Sequence, residues 1–355
     1  MSTVGAHTSR RCRRVSASAL PLVFVAAVAL GSPLGTTAAD SSPSKPRYTR
    51  SLLVRPTKTR TIRITYRSHS GARRPAIVLV PRAYRAGDPP IPLVISPHGR
   101  GVSYETNARR WGNLPGIGGF AVVSPAGQGR RLQAYSWGAR GQIADLARMP
   151  GIVAAAVRSL SIDRERIYAF GGSMGGQETL LLAARYPSLL AGAAAIDSLV
   201  DFPLQYRNFP RLRCTPSCER AWGMPIGVAL QEFARTEVGG TPEQARRRYL
   251  TRSPLTYARA IAFSCVPLQI WWSRSDRVVV ESSRQSGALF RRIRASNRRA
   301  AVSAYAGSWE HTKVFTPGRL LPTALAKFGL MPPLFDRPPK GVRVAAEPAD
   351  ACSRR

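Results

Sequence analysis

Residues 166–185 read RIYAFGGSMGGQETLLLAAR, and this stretch decides the fold. Its first five residues predict a buried strand, and its last twelve predict a helix. Ser173 lies at the junction in a Gly-x-Ser-x-Gly motif, with Gly171 and Gly175 on either side. Side chains at the two glycine positions would collide with the neighbouring strand and helix. A serine on such a sharp strand-to-helix turn is typical of a catalytic nucleophile.

Outward from this motif, short β-type runs alternate with helical stretches. Eight strands are predicted, at Thr61 to Tyr66, Ala76 to Val80, Pro92 to Ile95, Phe120 to Val123, Arg166 to Phe170, Ala191 to Ile196, Pro267 to Trp272 and Val302 to Tyr305. Helices are predicted at Gln142 to Leu160, Met174 to Arg185, Pro242 to Tyr249, Gln285 to Ala295 and Leu320 to Phe328. The alternation predicts an α/β fold with a mostly parallel eight-stranded sheet flanked by helices.

Residues 202–260 interrupt this alternation after the sixth predicted strand. They contain prolines, two nearby cysteines and scattered aromatic residues, and we predict an irregular, lid-like insertion. A lid or pocket wall is one interpretation, and a merely structural excursion is the other. The main domain is assigned to residues 52–335, after a polar leader at 40–51 and before a C-terminal tail at 336–355.

The N-terminus has the pattern of a secretory signal peptide. Basic residues precede an apolar stretch from Ala17 to Leu30, and small residues up to Ala39 suit a signal peptidase. The apolar stretch is shorter than the roughly 20 residues that span a bilayer, although a retained anchor is the alternative. We therefore predict a signal peptide at residues 1–39 and a secreted protein. The paired arginines leave both the twin-arginine and the Sec export routes open.

Cleavage after Ala39 would remove Cys12 and leave an even number of cysteines in an oxidising compartment, which predicts two disulfides. These cysteines are Cys214, Cys218, Cys265 and Cys352. Three pairings are possible, and we favour Cys214 with Cys218 and Cys265 with Cys352. A zinc site is the alternative, but no histidine lies near the first two cysteines in the sequence.

The chain carries 53 basic and 19 acidic residues among 355, a formal net charge of +34, and all but five of the basic residues are arginine. With 44% hydrophobic residues it is too apolar for wholesale disorder. GC-biased coding would explain the arginines, and attachment to anionic surface polymers or steering of acidic substrates is the functional alternative. Arginine runs such as 246–248 lack interleaved aromatic residues, which argues against nucleic-acid binding.

A serine nucleophile needs a base, and the chain offers few. The four histidines are His7, His69, His98 and His311. Only His311 follows the last predicted strand, where a loop could bring its imidazole to Ser173.

The base in turn needs an acid to orient it. Asp276 comes just after the strand Pro267 to Trp272, at the carboxyl edge of the predicted sheet, where chemistry is expected. Asp197, which follows the preceding strand, is the main rival, and Glu310 is a weaker candidate beside the histidine. We predict the order Ser173, Asp276, His311.

Attack on a carbonyl creates an oxyanion, which requires preorganised donors. One is expected to be the backbone N–H of Met174, the residue after the nucleophile. The other is expected from the loop His98-Gly99-Arg100-Gly101, where Arg100 or Gly99 would donate its amide and the His98 ring would support the loop.

The order of elements, the His98-Gly99-Arg100-Gly101 loop, the Gly171 to Gly176 motif, Asp276 and His311 together resemble the α/β-hydrolase superfamily. The resemblance covers residues 60–330. Within the superfamily, this sequence is similar to secreted esterases and to prolyl-oligopeptidase-type catalytic domains. Those peptidases carry a large N-terminal domain, for which only about 50 residues are present between the signal and the His-Gly loop.

The resemblance implies a metal-independent serine hydrolase without a cofactor. We predict a carboxylic ester as substrate; an exopeptidase is the second hypothesis, and a non-catalytic cationic binding protein is the third. An apolar-lined pocket under the insertion is expected, and its candidate aromatic lining residues are Trp111, Tyr135, Trp137, Tyr206 and Trp222.

Overall fold

The structure is a computed structural model that describes residues 58–213, 216, 219–220, 223–312 and 320–346. The predicted signal peptide and the polar leader lie outside the described residues. Most of the predicted α/β domain lies within them.

One mixed sheet organises the described chain. Its strands are β1 (Thr59–Arg67), β2 (Arg73–Pro81), β3 (Ile91–Ile95), β4 (Ala121–Pro125), β5 (Ile162–Gly172), β6 (Gly192–Ile196), β7 (Leu268–Ser273), β8 (Val302–Gly307) and β9 (Arg343–Ala346). Their spatial order is β1-β2-β4-β3-β5-β6-β7-β8-β9. Strands β3 to β8 are mutually parallel, whereas β1, β2 and β9 pair antiparallel. The mostly parallel sheet flanked by helices is as predicted.

The strand number differs from the prediction, because this sheet has nine strands in the described chain rather than eight. The additional strand, β9, lies in the segment assigned to the C-terminal tail and pairs only with β8. It has four residues and an exposed Val344, so it carries neither the length nor the continuous apolar pattern of a buried strand. Such a short edge strand takes its conformation from its neighbour.

Helices cover both faces of the sheet. They are α1 (Tyr104–Arg109), α2 (Leu114–Gly118), α3 (Arg140–Ala156), α4 (Met174–Arg185), α5 (Phe202–Asn208), α6 (Ile226–Val238), α7 (Arg246–Thr251), α8 (Ala258–Ala262), α9 (Ser286–Ser296) and α10 (Leu320–Ala326). One face packs against α3, α4, α8 and α9, and the other against α1, α2 and α10. Every residue of β3, β4, β6 and β7 is buried as a result. In the described chain, no helix is both long and apolar enough to cross a membrane.

The insertion at 202–260 is more regular than its sequence predicts. Three helices, α5 to α7, form a separate apolar cluster with Trp137 and Met174. The helix predicted from Pro242 begins only at Arg246. The residues before it form a turn, which the Ala245 amide closes by donating to the Thr241 carbonyl at 2.8 Å. The prolines and cysteines that suggested irregular chain are concentrated before α6, so they masked the helical pattern behind them.

A buried carboxylate fastens this insertion to the rest of the domain. Glu237 of α6 accepts hydrogen bonds from the backbone amides of Arg130 (2.6 Å), Arg131 (2.7 Å) and Leu132 (2.9 Å). The same carboxylate forms an ion pair with the buried Arg252 at 2.9 Å. Because Glu237 is completely buried, this contact holds the loop after β4 firmly to α6.

Candidate active site

Ser173 occupies a strained turn between β5 and α4. Its backbone has φ 57° and ψ −123°, a conformation that L-residues rarely adopt. A Cβ at Gly171 would collide with the carbonyl oxygen of Gly175, and a Cβ at Gly175 would collide with that of Pro97. The Ser173 amide donates to the carbonyl oxygen of Ile196 in β6 at 2.9 Å, which holds the turn against the sheet. The two glycines are therefore required by close backbone packing.

His311 and Asp276 form a hydrogen-bonded pair at the carboxyl edge of the sheet. The Nδ1 atom of His311 lies 2.7 Å from Oδ2 of Asp276. The second carboxylate oxygen accepts from the amides of Val278 (2.7 Å) and Val279 (2.9 Å), and the Asp276 side chain is fully buried. These amides keep the carboxylate pointed at the ring. Donation from Nδ1–H leaves Nε2 as the basic nitrogen of the imidazole.

Ser173 and His311 line one cavity of about 150 Å³, which we call the Ser173 cavity. Its other lining residues are Gly99, Arg100, Val102, Asn107, Arg110, Gly172 and Thr312. Within the described chain no hydrogen bond joins the Ser173 hydroxyl to the His311 ring. Catalytic hydrogen bonds often form only when a substrate is bound, so a shared cavity is the relevant geometry here.

Asp197, the rival acid, supports the histidine loop instead of contacting the ring through a hydrogen bond. Its carboxylate accepts from the Ser273 amide (2.9 Å), the Trp309 indole (2.8 Å) and the Thr312 amide (3.0 Å). Trp309 and Thr312 lie on either side of His311 in the chain. Burial, followed by repulsion from Asp276, raises the pKa of Asp197 to about 6. Asp197 is therefore a buried acid that holds the loop in place.

Asp197, Asp276 and His311 also lie close enough together to be tested as a metal site, since one possible ligand atom of each falls within 4.8 Å of the others. Backbone and indole N–H groups point at both carboxylates, as the distances above show. A cation would need those oxygen lone pairs free of donors. The arrangement fits a hydrogen-bonded acid and histidine better than a metal centre.

The third candidate acid, Glu310, is exposed.

The loop after β3 has the geometry expected of an oxyanion-binding segment. His98 is buried, with Nδ1 2.8 Å from the Gly99 carbonyl and Nε2 accepting from the Gly127 amide at 2.8 Å. Burial lowers the pKa of His98, so a neutral ring supports the loop from beneath. In the described chain, the Gly99 and Arg100 amides donate to no protein acceptor. The Met174 amide is also available, because the first amides of a helix have no acceptor within it.

The predicted aromatic residues are not among those that line the Ser173 cavity in the described chain. Trp111 is buried in the sheet core against Phe120 and Phe170, and its indole donates to Ser96. Trp137 and Tyr206 are buried in the apolar cluster of the insertion. None of these residues, nor Tyr135, lines the Ser173 cavity, and Trp222 lies outside the described residues. These large aromatic side chains pack in the apolar core, and sequence alone does not distinguish a core aromatic residue from one that contacts a ligand.

The lining of the Ser173 cavity is not mainly apolar, as was expected, but mixes polar and apolar groups. Asn107 and Arg110, which sequence analysis did not select, line it from α1 and its end. The Asn107 side chain is buried and donates to the Ser96 carbonyl at 2.9 Å and to the Ser124 hydroxyl at 2.9 Å. The signal available in the sequence was a polar helix directly after the His-Gly loop.

The insertion and the cysteines leave two predictions open. None of the described residues of 202–260 lines the Ser173 cavity, so a lid function stays a prediction. Of the four cysteines predicted to form disulfides, only Cys265 lies within the described residues, three residues before β7 begins. The disulfide pairing therefore stays a prediction.

Comparison with known proteins gives similarity at the level of structure. No family model and no curated protein matches the sequence. Among solved structures, an esterase from the archaeon Pyrobaculum calidifontis aligns with a TM-score of 0.51 and 19% identity, covering 72% of this chain and 76% of that one. An acylaminoacyl peptidase from Pyrococcus horikoshii aligns with a TM-score of 0.51 and 14% identity, covering 72% and 38%. A puromycin hydrolase aligns with a TM-score of 0.52 and 17% identity, covering 82% and 40%.

The chain thus spans about two fifths of the length of the peptidase and of the puromycin hydrolase, and about three quarters of the length of the esterase. At such low identity the likeness concerns the fold. The esterase and the acylaminoacyl peptidase are serine hydrolases with the α/β-hydrolase fold. With its sheet order and its strained turn at Ser173, this chain has the α/β-hydrolase fold.

Proposed function

We propose that the protein is a serine hydrolase that cleaves carboxylic esters through an acyl-enzyme intermediate. The observation that supports this most directly is the strained Ser173 turn, which opens on the same cavity as a histidine bonded to a buried carboxylate. Serine at its ordinary pKa is a weak nucleophile, and an oriented imidazole is the usual means of activating it.

In the proposed mechanism, the Ser173 hydroxyl oxygen attacks the ester carbonyl while Nε2 of His311 takes its proton. Asp276 holds the Nδ1–H and stabilises the imidazolium that forms. The developing oxyanion accepts from the amides of Met174 and of Arg100 or Gly99, each donor being worth about 3 to 4 kcal/mol. His311 then protonates the departing alcohol. A water molecule, deprotonated by the same ring, releases the acid from Ser173.

The lining of the Ser173 cavity favours an ester over a peptide. An exopeptidase needs a carboxylate that anchors the substrate amine, and among the described residues no acidic side chain lines this cavity.

Labelling with a fluorophosphonate tests the nucleophile. We expect the folded protein to be labelled and the Ser173→Ala variant to lose labelling completely, because only an activated serine attacks the phosphorus atom. Ser283→Ala, which removes an exposed hydroxyl outside the cavity, is the matched control and should label normally. Unlabelled folded wild type would instead support a non-catalytic binding protein.

Substrate comparison separates the two enzymatic hypotheses. Turnover of 4-nitrophenyl acyl esters should greatly exceed turnover of aminoacyl anilides at equal concentration. Fast anilide cleavage with little esterase activity would favour the exopeptidase.

We also propose that the enzyme acts outside the cytoplasm, after signal cleavage near Ala39 and with its cysteines paired. This rests on the N-terminal pattern and on the even cysteine number. The net charge of +34 would favour residence near anionic surface polymers.

A further inference from the structure

Two arginines that line the Ser173 cavity have no partner among the described residues. Arg100 follows the His-Gly segment and Arg110 ends α1, and both are half-buried and line the cavity together with Ser173. Neither guanidinium forms an ion pair or a hydrogen bond with any part of the chain that the structure describes. Two unpaired cations are thus held beside the candidate nucleophile.

Their surroundings make this arrangement costly. Burial lowers the pKa of both arginines, and no carboxylate opposes the effect in either case; the phenol of Tyr135 is the ionisable group that faces Arg100. The buried Arg252 shows the usual solution, since it pairs with Glu237 at 2.9 Å and donates to the Ser136 carbonyl at 2.9 Å. A desolvated cation without such a partner is stabilised when an anion binds to it.

An abundance of arginine does not explain these two positions. Most basic side chains of the described residues are exposed, and there water replaces a partner and an unpaired charge costs little. Arg109, next to Arg110 on α1, is exposed and donates to the Thr106 hydroxyl at 2.7 Å, on the side away from the cavity. Arg110 instead lines the Ser173 cavity, together with Arg100.

We propose that Arg100 and Arg110 bind a carboxylate of the substrate, so that the preferred ester carries an acid group close to its scissile bond. This inference rests on the proposed hydrolase function and deepens it by naming the substrate class. A guanidinium presents parallel N–H donors that match the two oxygens of a carboxylate. A cavity of about 150 Å³, comparable with one that holds a benzene ring, accommodates a short acid-bearing group rather than a long acyl chain.

Matched pairs of esters test the proposal. On the acyl side, mono-4-nitrophenyl glutarate is compared with its neutral glutaramate analogue; on the leaving-group side, 4-carboxyphenyl butyrate is compared with 4-carbamoylphenyl butyrate. Rates are corrected for spontaneous hydrolysis. We expect kcat/KM for the acid to exceed that for the amide by about tenfold or more in one of the two pairs.

Substitution locates the effect. Arg110→Gln and Arg100→Gln should each lower the acid-to-amide ratio about fivefold, and the double variant should bring it close to one; the Arg100 backbone amide is retained in each. Arg110→Lys should keep part of the preference, because it keeps the charge but loses the paired donors. Arg109→Gln removes the same charge from the same helix outside the cavity and should keep the full ratio. Fluorophosphonate labelling verifies that the site of each variant is assembled.

Direct binding separates this proposal from the hydrolase proposal. Calorimetric titration should show glutarate binding to wild type and to Arg109→Gln, and at least tenfold weaker binding to the double variant, whether or not any ester is cleaved. Glutarate binding without labelling or turnover would overturn the hydrolase and leave the anion site standing. Equal rates on acids and amides without glutarate binding would overturn the anion site, as would an equal loss of preference in Arg109→Gln. Loss of turnover on both members of a pair alike would assign the arginines to the oxyanion rather than to a substrate carboxylate.

Discussion

Two buried aspartates lie at the ends of neighbouring strands, and they serve different purposes. Asp197 follows β6 and accepts three N–H groups, from Ser273, Trp309 and Thr312. Asp276 follows β7 and accepts two backbone amides through one oxygen, which leaves the other for the His311 ring at 2.7 Å. Both carboxylates are buried at the same sheet edge. Asp276 therefore orients the imidazole, because one of its carboxylate oxygens accepts no backbone amide and is left for the ring.

The comparison shows how a fold can hold the loop that carries His311 with one acid and orient the histidine ring with another. Asp197 accepts hydrogen bonds from Trp309 and Thr312, the residues on either side of His311, and so holds the loop at the Ser173 cavity. Asp276 then sets the tautomer of that ring. Exchanging the roles would require Asp197 to release one of its donors, which costs about 1 to 3 kcal/mol for a buried group.

The largest expected difference between the two aspartates concerns catalysis. Asp276→Asn should lower kcat for 4-nitrophenyl butyrate by about 10³- to 10⁴-fold, because an amide in place of the carboxylate favours the wrong imidazole tautomer and removes the charge that stabilises the imidazolium. The shape of the site is retained. Steady-state kinetics and the rate of fluorophosphonate labelling measure the loss.

Asp197→Asn is the matched control for this experiment, since it makes the same chemical change one strand away. Its kcat should fall by no more than about tenfold, through a less ordered histidine loop. A greater loss in Asp197→Asn than in Asp276→Asn would reverse the assignment.

An intermediate effect should appear in the pH dependence of stability. Burial, and after it repulsion from Asp276, raises the pKa of Asp197 from 3.8 to about 6, although His311 opposes the shift. Between these two values the native state binds a proton that the unfolded chain has released. The contribution of Asp197 is therefore fully present below pH 3.8 and is lost as the pH rises through about 6, by about 3 kcal/mol in total.

The measurement is the free energy of unfolding of wild type minus that of Asp197→Asn, obtained by denaturant titration from pH 4 to pH 7. This difference should fall across the interval, while contributions from other groups cancel. Parallel stability curves would show that Asp197 has an ordinary pKa in the folded protein.

Sequence reasoning succeeded where structure is determined locally. The residues on either side of Ser173 predict strand, turn and helix from adjacent side chains, and β5 and α4 include the predicted ranges. The choice between Asp197 and Asp276 could not be made with the same certainty, because both follow a buried strand. It depends on which N–H groups of a distant loop reach each carboxylate.

The unpaired arginines show the same limit more strongly. In a chain with 53 basic residues, nothing local distinguishes Arg110 from Arg109. Only the direction of α1 places one in the cavity and the other outside it. The aromatic residues that were predicted to line the cavity show this limit too. Trp111 and Trp137 are apolar enough to be buried completely in the core, and nothing in the sequence separates that role from contact with a ligand.

The smallest of these effects concerns the indole bond to Asp197. Trp309→Phe removes the N–H that lies 2.8 Å from the carboxylate, and we expect a loss of about 1.5 to 3 kcal/mol of unfolding free energy, part of it from lost ring contacts. A double-mutant cycle with Asp197→Ala separates the two parts, because the packing loss of the ring is present in both backgrounds, whereas the hydrogen bond has no acceptor in Asp197→Ala. The coupling energy should be about 1 kcal/mol, and kcat should fall only a few-fold. Strict additivity would mean that Trp309 stabilises the loop through packing alone, and that the backbone amide of Thr312 is sufficient to hold the histidine over Asp276.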